Sequence, residues 1–180
     1  FQPAQNNNTL QFTGQFYLKV LNTFRIGETL EFEWNKLEQN SQELLTNVAF
    51  PYIFLGNFGV IGNLHIEKFD TLYVNTKSAF SVTYLLTPSV SARANTKFHN
   101  SNLLVDFNTN NYAEFSAKFA GLGISANKLD NEISPQKGFS FNIDFNLGNK
   151  EFPDSTKKLR SYELLSDFNI YSNIFRPFIM

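Results

Sequence analysis

The chain has 180 residues, enough for one domain, and its formal net charge of −1 excludes a strongly basic nucleic-acid-binding protein. It contains no cysteine, which excludes disulfides, thiolate catalysis and cysteine-ligated metals. Aromatic residues make up 16% of the chain and charged residues only 17%, against about 25% charged residues in a typical soluble domain. Such a composition fits either a dense soluble core or a surface that faces lipid.

Apolar and polar residues alternate along most of the chain, which is the pattern of strands with two different faces. No stretch reaches the roughly 18 unbroken apolar residues of a membrane helix, and no other helix is predicted. The predicted strands lie, in chain order, at 12–20, 30–35, 43–53, 60–67, 80–86, 90–98, 113–127, 139–147 and 160–172. The fold class is therefore all-β.

The length of these strands and the composition of their polar faces favour a membrane barrel. Strands of globular proteins usually have about five or six residues, whereas a tilted membrane strand needs about 9–11. A soluble β-sandwich also alternates, but its outer face is usually rich in Lys and Glu, whereas Asn, Ser, Thr and Gln dominate here. In the clearest run we expect Phe141, Ile143 and Phe145 to face lipid, opposite Asn142 and Asp144.

The polar faces predict a set of side chains that point into a water-filled lumen. Arg93 and Lys97 are expected to balance the carboxylates across that lumen. The predicted lumen-facing residues are Glu31, Glu33, His65, Glu67, Arg93, Lys97, Asn142 and Asp144.

No motif predicts catalysis or a cofactor. Glu31 and Glu33 share one strand face and could act as an acid–base pair, but two solvated carboxylates are the simpler interpretation. His65 lies on a polar face and His99 is predicted to open a loop, so the two histidines do not indicate a metal site. We therefore expect no enzyme activity, no cofactor and no metal.

The predicted connections alternate between short and long, as in outer-membrane barrels with short periplasmic turns and longer outer loops. Short connections are expected near 22–28, 53–58, 86–88 and 128–138, and longer ones near 37–42, 99–111 and 149–158. If the strands run up and down, the turn from Asp130 to Gly138 lies at the same end as Thr87-Pro88 and Gly27-Glu28-Thr29. The loop 99–111 then lies at the opposite end.

The segment Asn127 to Phe139 follows a glycine-containing strand and leads directly into the clearest alternating run. With Asp130, Pro135 and Gly138 it resembles a periplasmic turn of the surface-antigen barrel in the BamA/TamA-like superfamily of outer-membrane assembly and translocation proteins. Further features follow the family's order, namely the turn Gly27-Glu28-Thr29, the strand end Phe50-Pro51-Tyr52, the glycines 56, 59 and 62, and the turn Thr87-Pro88. The Phe- and Asn-rich composition resembles Bacteroidetes-type members.

This resemblance covers most of the chain and implies that residues 1–180 are part of an antiparallel up-and-down transmembrane β-barrel, about nine of sixteen strands. It implies periplasmic POTRA repeats before residue 1, and an inward-folded loop and a closing strand after Met180. It also implies a bacterial outer-membrane location, membrane lipid and unfolded outer-membrane proteins as partners, and possible accessory lipoproteins. Asp130, Pro135 and Gly138 are expected to form the turn, because Pro fixes φ and Gly permits backbone conformations closed to other residues.

Three functions remain open from the sequence. The first is assembly or translocation of outer-membrane proteins without nucleotide, in which an opened barrel seam templates incoming strands and the barrel perturbs the bilayer. The second is a passive pore or specific transporter. The third is a soluble or surface-exposed β-rich binding module. POTRA repeats would distinguish the first from the second, and detergent dependence would exclude the third.

Overall fold

The structure of the chain is a computed structural model. It describes residues 2–3, 10–11, 13–36, 38, 40–53, 56–104, 114–131, 133–153 and 158–172. None of these residues belongs to a helix long and apolar enough to cross a membrane.

Nine strands form one antiparallel sheet; they are β3 (Gly14–Leu21), β4 (Thr29–Lys36), β5 (Gln42–Ile53), β6 (Phe58–Phe69), β7 (Tyr73–Thr87), β8 (Val90–Leu103), β9 (Phe115–Leu129), β10 (Gly138–Glu151) and β11 (Leu159–Tyr171). Each strand pairs with its neighbours in the chain, so the order across the sheet is β11-β10-β9-β8-β7-β6-β5-β4-β3. Two short strands, β1 (Gln2–Pro3) and β2 (Leu10–Gln11), pair separately. The described residues contain no helix, so the all-β, up-and-down and nine-strand predictions are confirmed.

The strands become longer from β3 to β7 and have 13 to 15 residues from there on. β3 and β4 have 8 residues each, β5 and β6 have 12, and β7 and β9 have 15. Two strands contain a β-bulge, β5 between Phe50 and Ile53 and β7 between Leu85 and Thr87. Pro51 lies within the first bulge, where a residue that cannot donate to the ladder is tolerated.

The connections lie at the two ends of the strands, because consecutive antiparallel strands alternate in direction. We call one end of the sheet the turn rim; it holds the connections 22–28, 54–57, 88–89 and 130–137. The opposite end, which we call the loop rim, holds the connections 37–41, 70–72, 104–114 and 152–158. The predicted sidedness is confirmed, but the predicted strict alternation of short and long is wrong. The connection 70–72 on the loop rim is shorter than 130–137 on the turn rim, since β6 and β7 extend further than their alternation indicated.

The prediction that His99 opens a loop is also wrong. β8 continues to Leu103, and His99 pairs with Lys77 on one side and with Ala117 on the other. The polar residues Asn100 and Asn102 resemble loop sequence, but their backbones continue the ladder with β7. Of the predicted loop 99–111, residues 105–111 lie outside the described residues.

Burial in this sheet is the reverse of that in a soluble domain. Among the described residues, the buried apolar side chains are two alanines, Ala117 and Ala126. The buried polar or charged residues are Glu28, Asn95, Ser101, Asp144 and Asn146. Many large apolar side chains, by contrast, lie exposed on one face of a single layer. The sheet therefore has no hydrophobic core of its own, and its close packing is on the polar side.

Candidate functional site: the polar face of the sheet

The strand register places all eight predicted lumen residues on one face of the sheet. Glu31 pairs with Asn47, Glu33 with Leu45, and Leu45 with His65. Glu67 pairs with Asn75 on β7, and Asn75 pairs with Ser101 on β8. Since directly paired residues share a face and side chains alternate with period two, the same face continues through β9 to β11. We call it the polar face; it carries Glu31, Glu33, His65, Glu67, Arg93, Lys97, Asn142 and Asp144.

Arg93 on β8 and Asp144 on β10 form the most buried ion pair of the polar face. The guanidinium donates from Nε to Oδ1 at 3.1 Å and from Nη2 to Oδ2 at 2.6 Å. Arg93 Nη2 also donates to Asn142 Oδ1 at 2.6 Å, and Asn142 Nδ2 donates to Asp144 Oδ2 at 3.0 Å. Bidentate pairing with a bridging amide fixes the geometry of all three side chains. Arg93 and Asp144, whose charges were predicted to balance each other, are in direct contact.

Two glycines on β9 make room for this cluster. Gly123 pairs with Asp144 and Gly121 pairs with Asn146, both on the polar face. A Cβ built on either glycine would overlap the side-chain oxygen of its partner on β10. Without Cβ atoms, the side chains of Asp144 and Asn146 lie directly on the backbone of β9. Asp144 can therefore reach across β9 to Arg93 on β8.

A second cluster joins β8 to β11. Lys97 Nζ lies 2.8 Å from Glu163 Oε2, and Asn146 Nδ2 donates to the same oxygen at 2.9 Å. Lys97 and Glu163 are three strand spacings apart in the sheet order, roughly 14 Å along a flat sheet. Side chains that stand upright on a flat sheet could not meet across that distance. The sheet therefore curls toward its polar face.

The strands β3 to β7 carry smaller contacts on the same face. Lys19 Nζ lies 2.5 Å from Glu31 Oε1, and His65 Nε2 lies 2.7 Å from Glu43 Oε1. The remaining predicted carboxylates contact amides: Asn35 Nδ2 donates to Glu33, and Asn75 Nδ2 donates to Glu67. Glu31 and Glu33 thus have separate partners, which supports the interpretation of solvated structural carboxylates over an acid–base pair.

Near the loop rim, His99 packs edge-on against Phe115 with ring centroids 4.7 Å apart. Lys150 Nζ lies 3.8 Å from the centre of the same ring. His65 and His99 lie on different strands, and within the described ranges no three His, Asp or Glu side chains come together as a metal site.

The turn 130–137 is organised by the carboxylate of Asp130. Its Oδ1 accepts hydrogen bonds from the backbone N–H groups of Gln136 at 2.9 Å and of Lys137 at 3.0 Å. These donors lower the pKa of Asp130 below its ordinary value of 3.8. Gly138 has a φ of +121°, a conformation that side chains rarely adopt. Pro135 is half-buried in the same turn.

The turn 22–28 contains a buried carboxylate. Glu28 is 1% exposed, and its Oε1 accepts a hydrogen bond from Phe24 N at 2.6 Å while Oε2 accepts one from Ile26 N at 3.3 Å. Burial by itself would raise the pKa of Glu28, but these backbone N–H groups outweigh it and the pKa is lowered. Gly27 lies against Pro51 and Tyr52, so the turn rests on the end of β5.

The opposite face, which we call the apolar face, is exposed. It includes Leu122, Ile143, Phe145, Tyr162 and Leu164. Ile143 is 42% and Phe145 47% exposed, whereas Phe141 is half-buried. No second sheet covers these residues among the described strands. The predicted orientation of all three away from the polar face is therefore correct.

Comparison with known proteins does not identify this chain. No protein-family model matches it, and no curated protein or solved structure is significantly similar to it. Its function is therefore inferred from its own sequence and geometry.

Several contact partners of the predicted polar-face residues were not singled out from the sequence. Glu163 and Asn146 complete the Lys97 cluster, and Lys19 and Glu43 pair with Glu31 and His65. Glu163 lies in the less regular run 160–172, where the adjacent Leu164 and Leu165 interrupt the alternation. Continuing the period of two through this interruption would have placed Glu163 on the polar face.

Proposed function

We propose that this chain forms part of the wall of a transmembrane β-barrel in a bacterial outer membrane, and that the barrel assembles or translocates other outer-membrane proteins without nucleotide or catalysis. The observation that carries the membrane part is the reversed burial. Asp144 and Asn146 are 7% and 0% exposed, while Phe145 between them is 47% exposed. A soluble sheet gains stability by burying its apolar side, whereas a barrel in lipid exposes that side and fills its interior with polar groups.

The distribution of charge supports the same proposal. On the apolar face of the described strands, the charged residues all lie within four residues of a strand end; they are Lys36, Lys68, Lys118, Lys128, Glu151 and Arg160. The middle of that face carries none. An uncharged band between charged ends matches the hydrocarbon layer of a bilayer, where a cation at the midplane costs about 2–4 kcal/mol.

The two outermost strands of the sheet, β3 and β11, indicate how the wall of the barrel is completed. β3 and β11 each pair on one side only within the nine-stranded sheet. Unpaired backbone groups in lipid cost several kcal/mol each, so these edges pair with further strands in the proposed barrel. About sixteen strands is the size that the family resemblance implies.

Assembly or translocation, as the particular role, rests on the resemblance at Asp130, Pro135 and Gly138 and on the order of features before it. The chemistry that it requires is modest. A seam between two strands opens, its free N–H and C=O groups pair with an incoming strand, and the product leaves laterally into the bilayer. The energy comes from hydrogen bonds and from the transfer of apolar side chains into lipid, so no bound nucleotide is needed.

The experiment uses the full-length protein reconstituted into lipid vesicles. An unfolded outer-membrane protein is added, and its folding is followed by the shift in mobility of the folded form on unheated gels. We expect faster client folding than in empty vesicles and in vesicles that hold an unrelated barrel. Equal rates in all three samples would contradict the assembly role.

A passive pore is the second candidate, since a concave polar face can also line a conduit. The same vesicles provide the discriminating measurement, which is ion conductance across a planar bilayer. A steady open-channel current without acceleration of client folding would favour the pore. Folding of the protein in buffer, with no lipid or detergent, would contradict both roles.

A further inference from the structure

The cations on the apolar face are concentrated at one end of the sheet. Lys36, Lys68, Lys118 and Arg160 lie toward the loop rim, whereas among the described strands Lys128 is the corresponding cation toward the turn rim. The acidic residue of this face, Glu151, already pairs with Lys158 at 2.8 Å. The loop-rim end of the apolar face therefore carries a net positive charge.

Two of these cations lie at the same level of the sheet on strands that are separated by one strand. Lys118 on β9 pairs with Asn149 on β10, which pairs with Arg160 on β11. Their backbones are two strand spacings apart, roughly 10 Å. Both side chains are exposed, and long flexible cations at this separation can contact one phosphate group together.

An apolar groove begins beside Lys118 and Arg160. It has a volume of about 520 Å³, and Lys118 and Arg160 lie at its border with Phe98, Ala120, Leu147 and Tyr162. A second groove of about 680 Å³ continues away from the loop rim along Ala94, Leu122 and Phe145. The two grooves share Thr96, Ala120 and Leu147. The small side chains Ala94, Thr96 and Ala120 form the floor of a trough between larger apolar neighbours.

We propose that this trough is a binding site for an anionic lipid with a phosphate in its head group. The phosphate lies between Lys118 and Arg160, and the acyl chains follow the trough toward the middle of the apolar face. The inference rests on the proposed membrane barrel and adds a specific ligand to its outer wall. Charge complementarity selects the anionic head group, and the length of the apolar trough selects an acyl chain over a free anion.

The position of the trough places the head group of this lipid at the loop rim. Cations at the end of an apolar strand face lie where the phosphates of one leaflet are found, and here they lie at the loop rim. A lipid held between β8 and β11 would then be retained while the surrounding bilayer exchanges.

The test is a lipid titration of the full-length protein in detergent, followed by native mass spectrometry of the lipid-bound species. Phosphatidylglycerol and phosphatidylcholine with identical acyl chains are compared. We expect one saturable phosphatidylglycerol that binds about tenfold or more tightly than phosphatidylcholine, since each cation near an anionic lipid contributes about a factor of five. The variant Lys118→Gln/Arg160→Gln should lose this preference.

Two variants serve as matched controls. Lys128→Gln removes a cation from the same face at the turn rim and should leave the preference unchanged. Ala120→Trp fills the trough without changing charge and should weaken binding of both lipids. Folding of each variant is checked by its gel mobility with and without heating.

Three results would overturn the proposal. They are equal affinity for the two lipids, an unchanged preference in the double variant, or inorganic phosphate that displaces phosphatidylglycerol at similar concentration, which would indicate a site for free anions. If the protein folds only in lipid but shows one of these results, the lipid site alone is rejected. If it folds in plain buffer, the membrane barrel is rejected as well.

Discussion

At the turn between β3 and β4, one carboxylate organises a segment with two non-glycine residues at positive φ, Asn22 and Arg25. Glu28 accepts the N–H groups of Phe24 and Ile26, and Asn22 Oδ1 accepts that of Gly27 at 2.9 Å. Backbone N–H groups in this turn have no partner in the sheet ladder, so the two side chains supply the acceptors that the ladder does not. The sequence shows Glu28 as one acidic residue in a turn, and only the structure reveals this role.

Glu28 should make the stability of the protein sensitive to acid. Its pKa is lowered from 4.5 in the folded state, so its contribution is fully present above pH 4.5 and is lost as pH falls through the lower, folded pKa. Glu28→Gln should reduce stability at neutral pH and flatten the pH dependence below pH 4.5. Urea unfolding in lipid vesicles at several pH values measures both. If the free energy of unfolding depended on pH in the same way in the variant, the acid sensitivity would come from other carboxylates, with Asp130 the first candidate.

Gly123 and Gly62 provide a matched pair of substitutions. A Cβ on Gly123 would overlap the carboxylate of Asp144 and lie 3.0 Å from the carbonyl oxygen of Ile143, whereas a Cβ on Gly62 meets nothing within 4 Å. Gly123→Ala should therefore destabilise by about 1–3 kcal/mol, the usual cost of overpacking. Gly62→Ala should be neutral or slightly stabilising. Equal effects of the two substitutions, measured by urea unfolding, would mean that the space above Gly123 is not needed for Asp144 to reach Arg93.

At the scale of the strand, β10 shows why period two is informative here. The side chains at its even positions from Ser140 to Asn146 are polar and are buried or half-buried. Those at its odd positions from Phe139 to Leu147 are apolar and mostly exposed. A shift of register by one residue would exchange the two faces along the whole strand. The cross-strand ion pairs and the two β9 glycines oppose such a shift, because they accept only one alignment.

Substitution with arginine tests the two faces directly. Phe145 lies mid-strand on the apolar face, so Phe145→Arg should cost about 2–4 kcal/mol in a bilayer. Asn63 lies mid-strand on the polar face, is exposed, and donates to Asn47 at 2.7 Å. Asn63→Arg should cost much less, because its charge enters water near Glu31. Folding titrations into lipid vesicles measure the difference, and a larger cost for Asn63→Arg would reverse the assigned faces.

Asn63 is a better polar-face position for this comparison than Asn142. Asn142 lies on the polar face of the same strand as Phe145, but its side chain bonds both Arg93 and Asp144. An arginine there would sit beside Arg93 and disrupt the cluster. Asn142→Arg is therefore expected to be costly for a reason unrelated to lipid.

At the scale of the whole molecule, the up-and-down order fixes which connections share a side of the membrane. Thr71 lies in the loop-rim connection 70–72, and Ser134 lies in the turn-rim connection 130–137. Both residues are exposed, and the chain has no cysteine to interfere with labelling. In the proposed orientation the loop rim faces the cell exterior, as the resemblance of 127–139 to a periplasmic turn implies.

Single cysteines at these positions test the orientation in intact cells. A membrane-impermeant maleimide should label Thr71→Cys, and it should label Ser134→Cys only after the outer membrane is permeabilised. The opposite pattern would invert the barrel. Labelling of both positions in intact cells would contradict a membrane-spanning sheet.

Much of the fold could be predicted because it depends on local alternation. The number of strands in the nine-stranded sheet, their antiparallel order and the face of each polar residue follow from period two and from the turns between strands. The short pair β1 and β2 was not predicted. Strand ends could not be predicted where polar residues continue a ladder, as at His99 on β8, because a backbone hydrogen bond does not depend on the side chain. The lengths of the connections were misjudged for the same reason.

The sequence by itself determined that the described part of this protein is all-β, with a nine-stranded sheet that has one polar and one apolar side. It could not determine which polar side chains meet. Lys97 and Glu163 are 66 positions apart and contact only because the sheet curls, and Arg93 reaches Asp144 only because Gly123 has no side chain. Alternation depends on neighbours along the chain and is visible in the sequence. Ion pairs depend on register and curvature, which are set by all the strands together, so only the tertiary structure decided them.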